Sequence, residues 1–125
     1  MSYTIKTIDE LESIHHGAVR LAGAELGIRS FGMQVLDFPG GFSDYPEHDH
    51  AEDGQEEVYV VLRGQADFVI DGEAVTISPE QMLKVDAASK RKLQPGQDGV
   101  RILAIGCTPG ATYQRPKAFR SGVQV

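Results

Sequence analysis

Two histidines one residue apart are the part of this sequence whose types and spacing point most directly to chemistry. His48 and His50 lie in the stretch YPEHDHAEDGQEEV. In an extended chain the side chains at positions i and i+2 point to the same face, so these two converge while Asp49 points away. Two imidazoles on one face favour a site for a divalent transition metal. The same pattern also fits two solvated surface histidines in an acidic loop.

A carboxylate follows at Glu57, where the next apolar segment begins. The intervening loop AEDGQE has Gly54 in its middle and can reverse the chain, which would bring Glu57 beside the two histidines. A site with two histidines and one carboxylate leaves coordination positions for water, oxygen or substrate. Strand alternation places Tyr59 on the same face as Glu57, so Tyr59 is a candidate wall of a ligand pocket.

Short strands must position these residues. After residue 28 the chain reads as apolar segments separated by turn residues. Asp71-Gly72 predicts a two-residue hairpin turn, and QPGQDG predicts a turn before the last strand. About eight short strands without intervening helices indicate an all-β sandwich or small barrel. The predicted strands are SFGMQVLDF, EEVYVVLRG, QADFVI, EAVTI, MLKVDA, RKLQ and VRILAIG.

The N-terminal residues carry the only helical pattern. Thr7 and Glu10 fit a capping box, and apolar residues follow at helical spacing. This predicts a short helix, with His15 and His16 as surface residues within it. We therefore divide the chain into an N-terminal segment packing on the barrel (1–27), the barrel (28–107) and a C-terminal loop tail (108–125).

Composition narrows the class of partner and compartment. The chain has 125 residues and a formal net charge of −6, which disfavours nucleic-acid binding. Its longest apolar run, Val58 to Leu62, is too short to span a membrane, and MSYTIKTIDE lacks the pattern of a signal peptide. One cysteine, Cys107, excludes an internal disulfide. Together these features predict a cytoplasmic protein without a membrane partner.

These residues resemble the first signature of the cupins, which is a glycine, His-x-His, a glutamate and a closing glycine. Gly41, His48, His50, Glu57 and Gly64 match it in order. The resemblance covers about residues 30 to 107 and implies a cupin-type double-stranded β-helix, or jelly-roll, of six to eight strands. It also implies a metal and a small molecule held inside the barrel, and a homodimer. It implies no single activity.

The second cupin signature departs from the family pattern. A histidine is expected there as a fourth metal ligand, but the last histidine of the chain is His50. In that alignment Arg91 occupies the histidine position. Three alternatives follow: a three-ligand metal centre completed by water, a barrel in which Arg91 binds an anionic ligand, or a barrel that has lost the metal.

We therefore expect a small single-domain cupin that binds a small molecule, with an anion as the class that Arg91 would favour. The expected metal ligands are His48, His50 and Glu57, with Fe, Mn, Ni or Zn as the metal, and the expected ligand contacts are Tyr59 and Arg91. A metal-dependent oxygenase or isomerase fits this arrangement, and no catalytic residue is assigned. The alternative is a ligand-binding or sensing barrel without metal or catalysis.

Overall fold

The computed structural model describes residues 2–122, which form mostly β-strands. The strands belong to one antiparallel sheet with the order β1-β2-β3-β7-β4-β5, and β6 pairs with β4 on a branch of this order. The sheet does not close on itself. In chain order the strands are β1 (Ser13–Ile14), β2 (Val19–Arg20), β3 (Gly32–Phe38), β4 (Glu56–Ile70), β5 (Glu73–Ile77), β6 (Met82–Val85) and β7 (Arg91–Cys107).

Two long strands take the place of four predicted short ones. EEVYVVLRG and QADFVI are one strand, β4, while RKLQ and VRILAIG are one strand, β7. The predicted turn QPGQDG is therefore a bend within β7. At this bend the β4–β7 pairing shifts register around Gly64. Gly64 and Gly99 allow the close approach, because a Cβ on Gly64 would lie 2.2 Å from the Gly99 carbonyl oxygen.

The Asp71-Gly72 turn forms as predicted. It joins β4 to β5, whose pairing begins at Ile70 and Glu73. Both turn residues have positive φ, 49° for Asp71 and 87° for Gly72. Such backbone angles match the right-handed twist of the paired strands, which explains why this dipeptide is a reliable hairpin signal.

The two faces of β3 serve different layers because its side chains alternate. Leu36 and Phe38 point inward and join the main core with Tyr59, Phe68 and other buried residues. Val35 points outward and packs with Leu11 and Ala22 of the N-terminal segment. The N-terminal segment thus covers the outer face of the sheet.

The sequence predicts a helix that begins near Thr7, but the short α-helix of the N-terminal segment lies further along the chain. Ile8–Glu10 form a single 3-10 turn, and Thr7 makes no side-chain cap. The short helix α1 is Ala22–Leu26, ended by Gly27 at a φ of 74°. The apolar residues with helical spacing instead pack on β3, because tertiary burial outweighs a weak local preference. None of the helices within residues 2–122 is long and apolar enough to cross a membrane.

Within its described part, to residue 122, the C-terminal tail is anchored at several points. The Thr108 hydroxyl donates to the Asp53 carbonyl at 2.9 Å, and the Arg115 guanidinium donates to the Ile28 carbonyl. Near the end, the Ser121 hydroxyl donates to the Glu12 carboxylate at 2.7 Å. These bonds connect the tail to both the loop after His50 and the N-terminal segment. Residues 123–125 of the predicted tail lie outside the described residues.

Candidate metal centre

A short strand-like segment places the two histidines. His48 pairs with Arg91 at the start of β7: the His48 amide donates to the Arg91 carbonyl at 3.0 Å, and the Arg91 amide donates back at 2.9 Å. The His50 amide donates to the Ala87 carbonyl at 2.7 Å. This extended backbone gives both imidazoles the same direction, as the i, i+2 spacing predicts.

The loop 51–56 reverses the chain and delivers Glu57. Gly54 has a φ of 71°, and its amide donates to the His50 carbonyl at 2.8 Å. Glu57 Oε1 then lies 3.7 Å from His48 Nε2 and 3.5 Å from His50 Nε2. One ligand atom from each of His48, His50 and Glu57 lies within 4.8 Å of the others. Ligands about 2.1 Å from a shared ion lie about 3 to 3.5 Å apart, so this spacing suits a metal.

The other nitrogen of each imidazole already has a partner. His48 Nδ1 lies 3.1 Å from the Pro46 carbonyl oxygen, and His50 Nδ1 lies 3.1 Å from the Asp53 carboxylate. Both partners are acceptors, so each Nδ1 carries the proton and each neutral imidazole presents its Nε2 lone pair. Both lone pairs face the Glu57 carboxylate. Three electron-pair donors directed at one point require a cation between them, either protons or a metal ion.

Tyr59 and Arg91 contact Glu57. The Tyr59 hydroxyl donates to Glu57 Oε1 at 2.6 Å, and Gln55 Nε2 donates to Oε2 at 3.1 Å. Arg91 Nε lies 3.8 Å from Glu57 Oε1. Tyr59 and Arg91 are both fully buried. Glu57 Oε1 has two lone pairs, so accepting the hydrogen bond from Tyr59 leaves one lone pair for a metal.

The electrostatics of the cluster keep Glu57 charged. Burial by itself would raise the pKa of Glu57, but its contacts with His48 and Tyr59 and the charges of His50 and Arg91 lower the pKa to about 2. The same contact with Glu57 raises the pKa of His48, against the effect of burial. Burial and the charge of Glu57 raise the pKa of Tyr45 to about 12, so Tyr45 stays neutral. The cluster thus holds an anion that favours a nearby positive charge.

A cavity of about 840 Å³ opens beside the cluster. His48, His50 and Glu57 form part of its wall, while Tyr59 and Arg91 do not reach it. The structure therefore places the two predicted ligand-contacting residues behind Glu57. The rest of the wall comes from β2, β3, Ala104 of β7, the segment before His48, the loop 51–56, the turn after β1 and the C-terminal tail.

Sequence reasoning missed several wall residues and one supporting residue. Asp53 accepts a hydrogen bond from His50 Nδ1, but in the sequence it is only one of several acidic residues in its loop. Phe38 follows from the alternation of β3 once its inward face is known. His15 and His16 are exposed at the turn between β1 and β2, with φ of 55° and 57°, and both line the cavity. Tyr113 and Phe119 lie in the tail, where no periodic pattern indicates a contact.

Comparison with solved structures shows that the chain has the cupin fold. A cupin protein from Bacteroides fragilis superposes with a TM-score of 0.69 at 20% identity, over 100% of this chain and 99% of that one. A cupin superfamily protein from Desulfitobacterium hafniense gives 0.55 at 23% identity, over 65% and 69% of the two chains. KdgF from a Halomonas species gives 0.57 at 13% identity, over 70% and 73%. No protein-family model and no curated protein matches the chain.

Proposed function

We propose that this cupin-fold chain binds one divalent transition metal through His48, His50 and Glu57 and holds a small molecule beside it. One observation carries the proposal: both histidines have Nδ1 engaged by an acceptor and direct Nε2 at the same carboxylate oxygen. Iron, manganese, nickel and zinc all accept this combination of nitrogen and oxygen ligands.

The donors of this chain fit a metal better than they fit a plain buried ion pair. A buried carboxylate that only needed charge balance would be met by arginine N–H groups at hydrogen-bond distance, yet Arg91 Nε stays 3.8 Å away. The acceptors at Pro46 and Asp53 hold the two imidazole rings in the tautomer that a metal ligand needs. Tyr59 and Gln55 hold the carboxylate in place from its other side.

We further propose that the site supports metal-dependent chemistry of the oxygenase or isomerase type. A bound ion would supply Lewis acidity, polarising an oxygen of the small molecule. The chain supplies three ligands, which leaves coordination positions for that molecule. Tyr59 and Gln55 donate hydrogen bonds to the two oxygens of Glu57, which fits a carboxylate that would serve as a metal ligand.

The test is elemental analysis of the purified chain beside a His48→Ala, His50→Ala double variant. We expect a near-stoichiometric transition metal in the wild type and its loss in the variant. The matched control is a His15→Asn, His16→Asn double variant. It removes two other cavity histidines outside the cluster, and asparagine tolerates the left-handed backbone at those positions. The control should keep its metal.

The competing candidate is a ligand-binding or sensing barrel without metal. It is favoured by Arg91, whose positive charge near Glu57 repels a cation. Wild-type protein that stays free of metal after supplementation with iron, manganese, nickel and zinc would reject the metal site in favour of this candidate. Equal metal content in the wild type and the His48→Ala, His50→Ala variant would also reject the metal site.

A further inference from the structure

The charges around the cavity restrict what it can bind. Among the wall residues within 2–122, none is a lysine or an arginine. Apart from two tyrosines, the ionisable wall residues are histidines and carboxylates: His15, His16, His48, His50, Asp44, Asp53 and Glu57. A carboxylate ligand entering this cavity would lose its hydration beside the carboxylates of Asp44, Asp53 and Glu57, which is costly.

Arg91 does not fill this role. Its side chain is fully buried, and its Nη2 donates to the Asp86 carbonyl at 3.2 Å. Its Nε is closest to Glu57, which already provides the opposite charge. Because Arg91 lies behind Glu57 and outside the cavity wall, an anion in the cavity cannot pair with it unless Glu57 moves.

A ladder of aromatic rings leads along the wall to the metal centre. Phe42 stacks on Phe38 with ring centres 4.6 Å apart and planes 20° apart. Phe38 contacts Tyr45 at 5.5 Å, and Tyr45 meets the edge of the His48 ring at 5.5 Å. All four of these residues line the cavity. Such a surface binds the face or edge of a planar ring.

The C-terminal tail adds further apolar wall through Tyr113, Pro116 and Phe119. The Tyr113 ring lies against Gly32 so closely that a Cβ there would be 2.9 Å from the tyrosine hydroxyl oxygen. Because Arg115 is bonded to the Ile28 carbonyl, this part of the tail is fixed over the cavity. These two contacts hold Tyr113 and its neighbours against the cavity.

We propose that the cavity takes an uncharged, planar, apolar molecule that carries one oxygen at its edge. Its ring lies against Phe38, Phe42 and Tyr45, and its oxygen faces the His48, His50 and Glu57 cluster. This inference rests on the proposed function, because a bound metal is the partner of that oxygen. It differs from the anionic ligand expected from Arg91 in the sequence. The volume of about 840 Å³ suits a ligand of more than one ring.

The test compares 2-naphthol with 2-naphthoate, two probes with the same ring system and different charge at neutral pH. Binding is measured by calorimetry on the metal-loaded chain and on the chain treated with EDTA. In the EDTA-treated chain we expect naphthol to bind at least about ten-fold more tightly than naphthoate, because the naphthoate charge would be buried beside the carboxylates of the wall. Equal or tighter binding of naphthoate would overturn the inference.

Variants of the wall locate the binding. Phe119→Ala and Phe42→Ala should each weaken naphthol binding about five-fold or more, because each removes a ring from the wall. Phe119→Leu, which keeps an apolar side chain, guards against misfolding and should weaken binding less. Tyr3→Ala is the control, since Tyr3 is 78% exposed and outside the wall. Wall variants that bind naphthol as tightly as Tyr3→Ala would overturn the inference.

Metal content measured on the same samples separates the two proposals. Metal retained without preference for naphthol would overturn the ligand class and leave the metal site standing. A preference for naphthol in a chain that never takes up metal would support the ligand class and reject the metal site. In the metal-loaded chain we expect naphthol to bind more tightly than in the EDTA-treated chain, and no difference would overturn the placement of its oxygen.

Discussion

Two charged clusters in this molecule differ in how fully their atoms are hydrogen-bonded. On the outer face of β3, Asp37 receives Arg101 Nε at 2.7 Å on one oxygen and Arg101 Nη2 at 2.9 Å on the other. Arg20 and Asp9 complete this group, with Arg20 donating to Asp37 and Arg101 donating to Asp9. We call it the Asp37 cluster. Its carboxylate and guanidinium are matched in a two-pronged geometry.

The proposed metal centre around Glu57 is built differently. Glu57 faces two imidazole nitrogens at 3.5 and 3.7 Å, and Arg91 Nε and Nη1 are buried without a hydrogen-bond partner. A cluster with complete hydrogen bonding has no capacity left for a ligand and serves stability. A cluster with unpaired lone pairs and donors lowers the stability of the fold, and such clusters are typical of sites that bind a ligand or a metal. The degree of hydrogen bonding separates these clusters better than their charge does.

The largest expected effect comes from one substitution made in each cluster. Arg101→Met should lower the free energy of unfolding by about 3 kcal/mol, because it leaves the largely buried Asp37 carboxylate without its main hydrogen-bond partner. Arg91→Met should cost less than Arg101→Met, because it removes two donors without partners and only one hydrogen bond, from Nη2 to the Asp86 carbonyl, and His48 and His50 remain beside Glu57. Urea denaturation measures both. Equal losses in the two variants would remove the contrast between the clusters.

A smaller effect, on metal affinity, tests how Asp53 supports the proposed metal centre. Asp53→Asn should weaken metal affinity about ten-fold, because it removes the charge that orients His50 Nδ1 and raises the basicity of the ring. Stability should change by less than about 0.5 kcal/mol, since the Asp53 side chain is 58% exposed.

Glu52→Gln is the matched control for that measurement. It removes the same charge from the same loop, and calorimetric titration with the metal found by elemental analysis should show nearly unchanged affinity. An equal loss in both variants would mean that loop charge, and not the His50 contact, sets the affinity.

The smallest effect is a pH dependence of stability. Burial by itself would raise the pKa of Asp37, but hydrogen bonds from Arg101 and Arg20 hold it below its usual value of 3.8. A folded-state pKa below the unfolded one adds stability above pH 3.8, and this contribution is lost as the pH falls further. The stability difference between wild type and Asp37→Asn should therefore shrink below that pH, as followed by urea midpoints. A difference that stays constant would contradict the ion pair.

The cupin fold was predicted from the resemblance to the first signature of that family, whereas local rules predicted that His48, His50 and Glu57 lie close together. The i, i+2 spacing places His48 and His50 on one face in any extended backbone. Asp71-Gly72 determines a hairpin through its own backbone preferences. The closing Gly64 indicates a special backbone position, and the structure explains it by the close approach of Gly99.

Other predictions failed where distant contacts outweighed local preference. Thr7 and Glu10 fit a capping box, but the residues after them contribute to a small outer core with Val35 instead of extending a helix. QPGQDG contains strong turn residues, yet it lies in a strand that bends together with its partner. In both cases the burial and pairing gained from another part of the chain exceed the local signal.

The sequence by itself determined the residue types and their order: a His-x-His pair, a carboxylate beyond a glycine loop, alternating strands and no later histidine. Only the tertiary structure decided that Arg91 lies beneath Glu57 and outside the cavity, and that the tail residues Tyr113 and Phe119 join its wall. The reason is physical. Spacing fixes which side chains share a face, but the partners of that face come from segments far away in the chain, whose arrangement depends on packing of the whole domain.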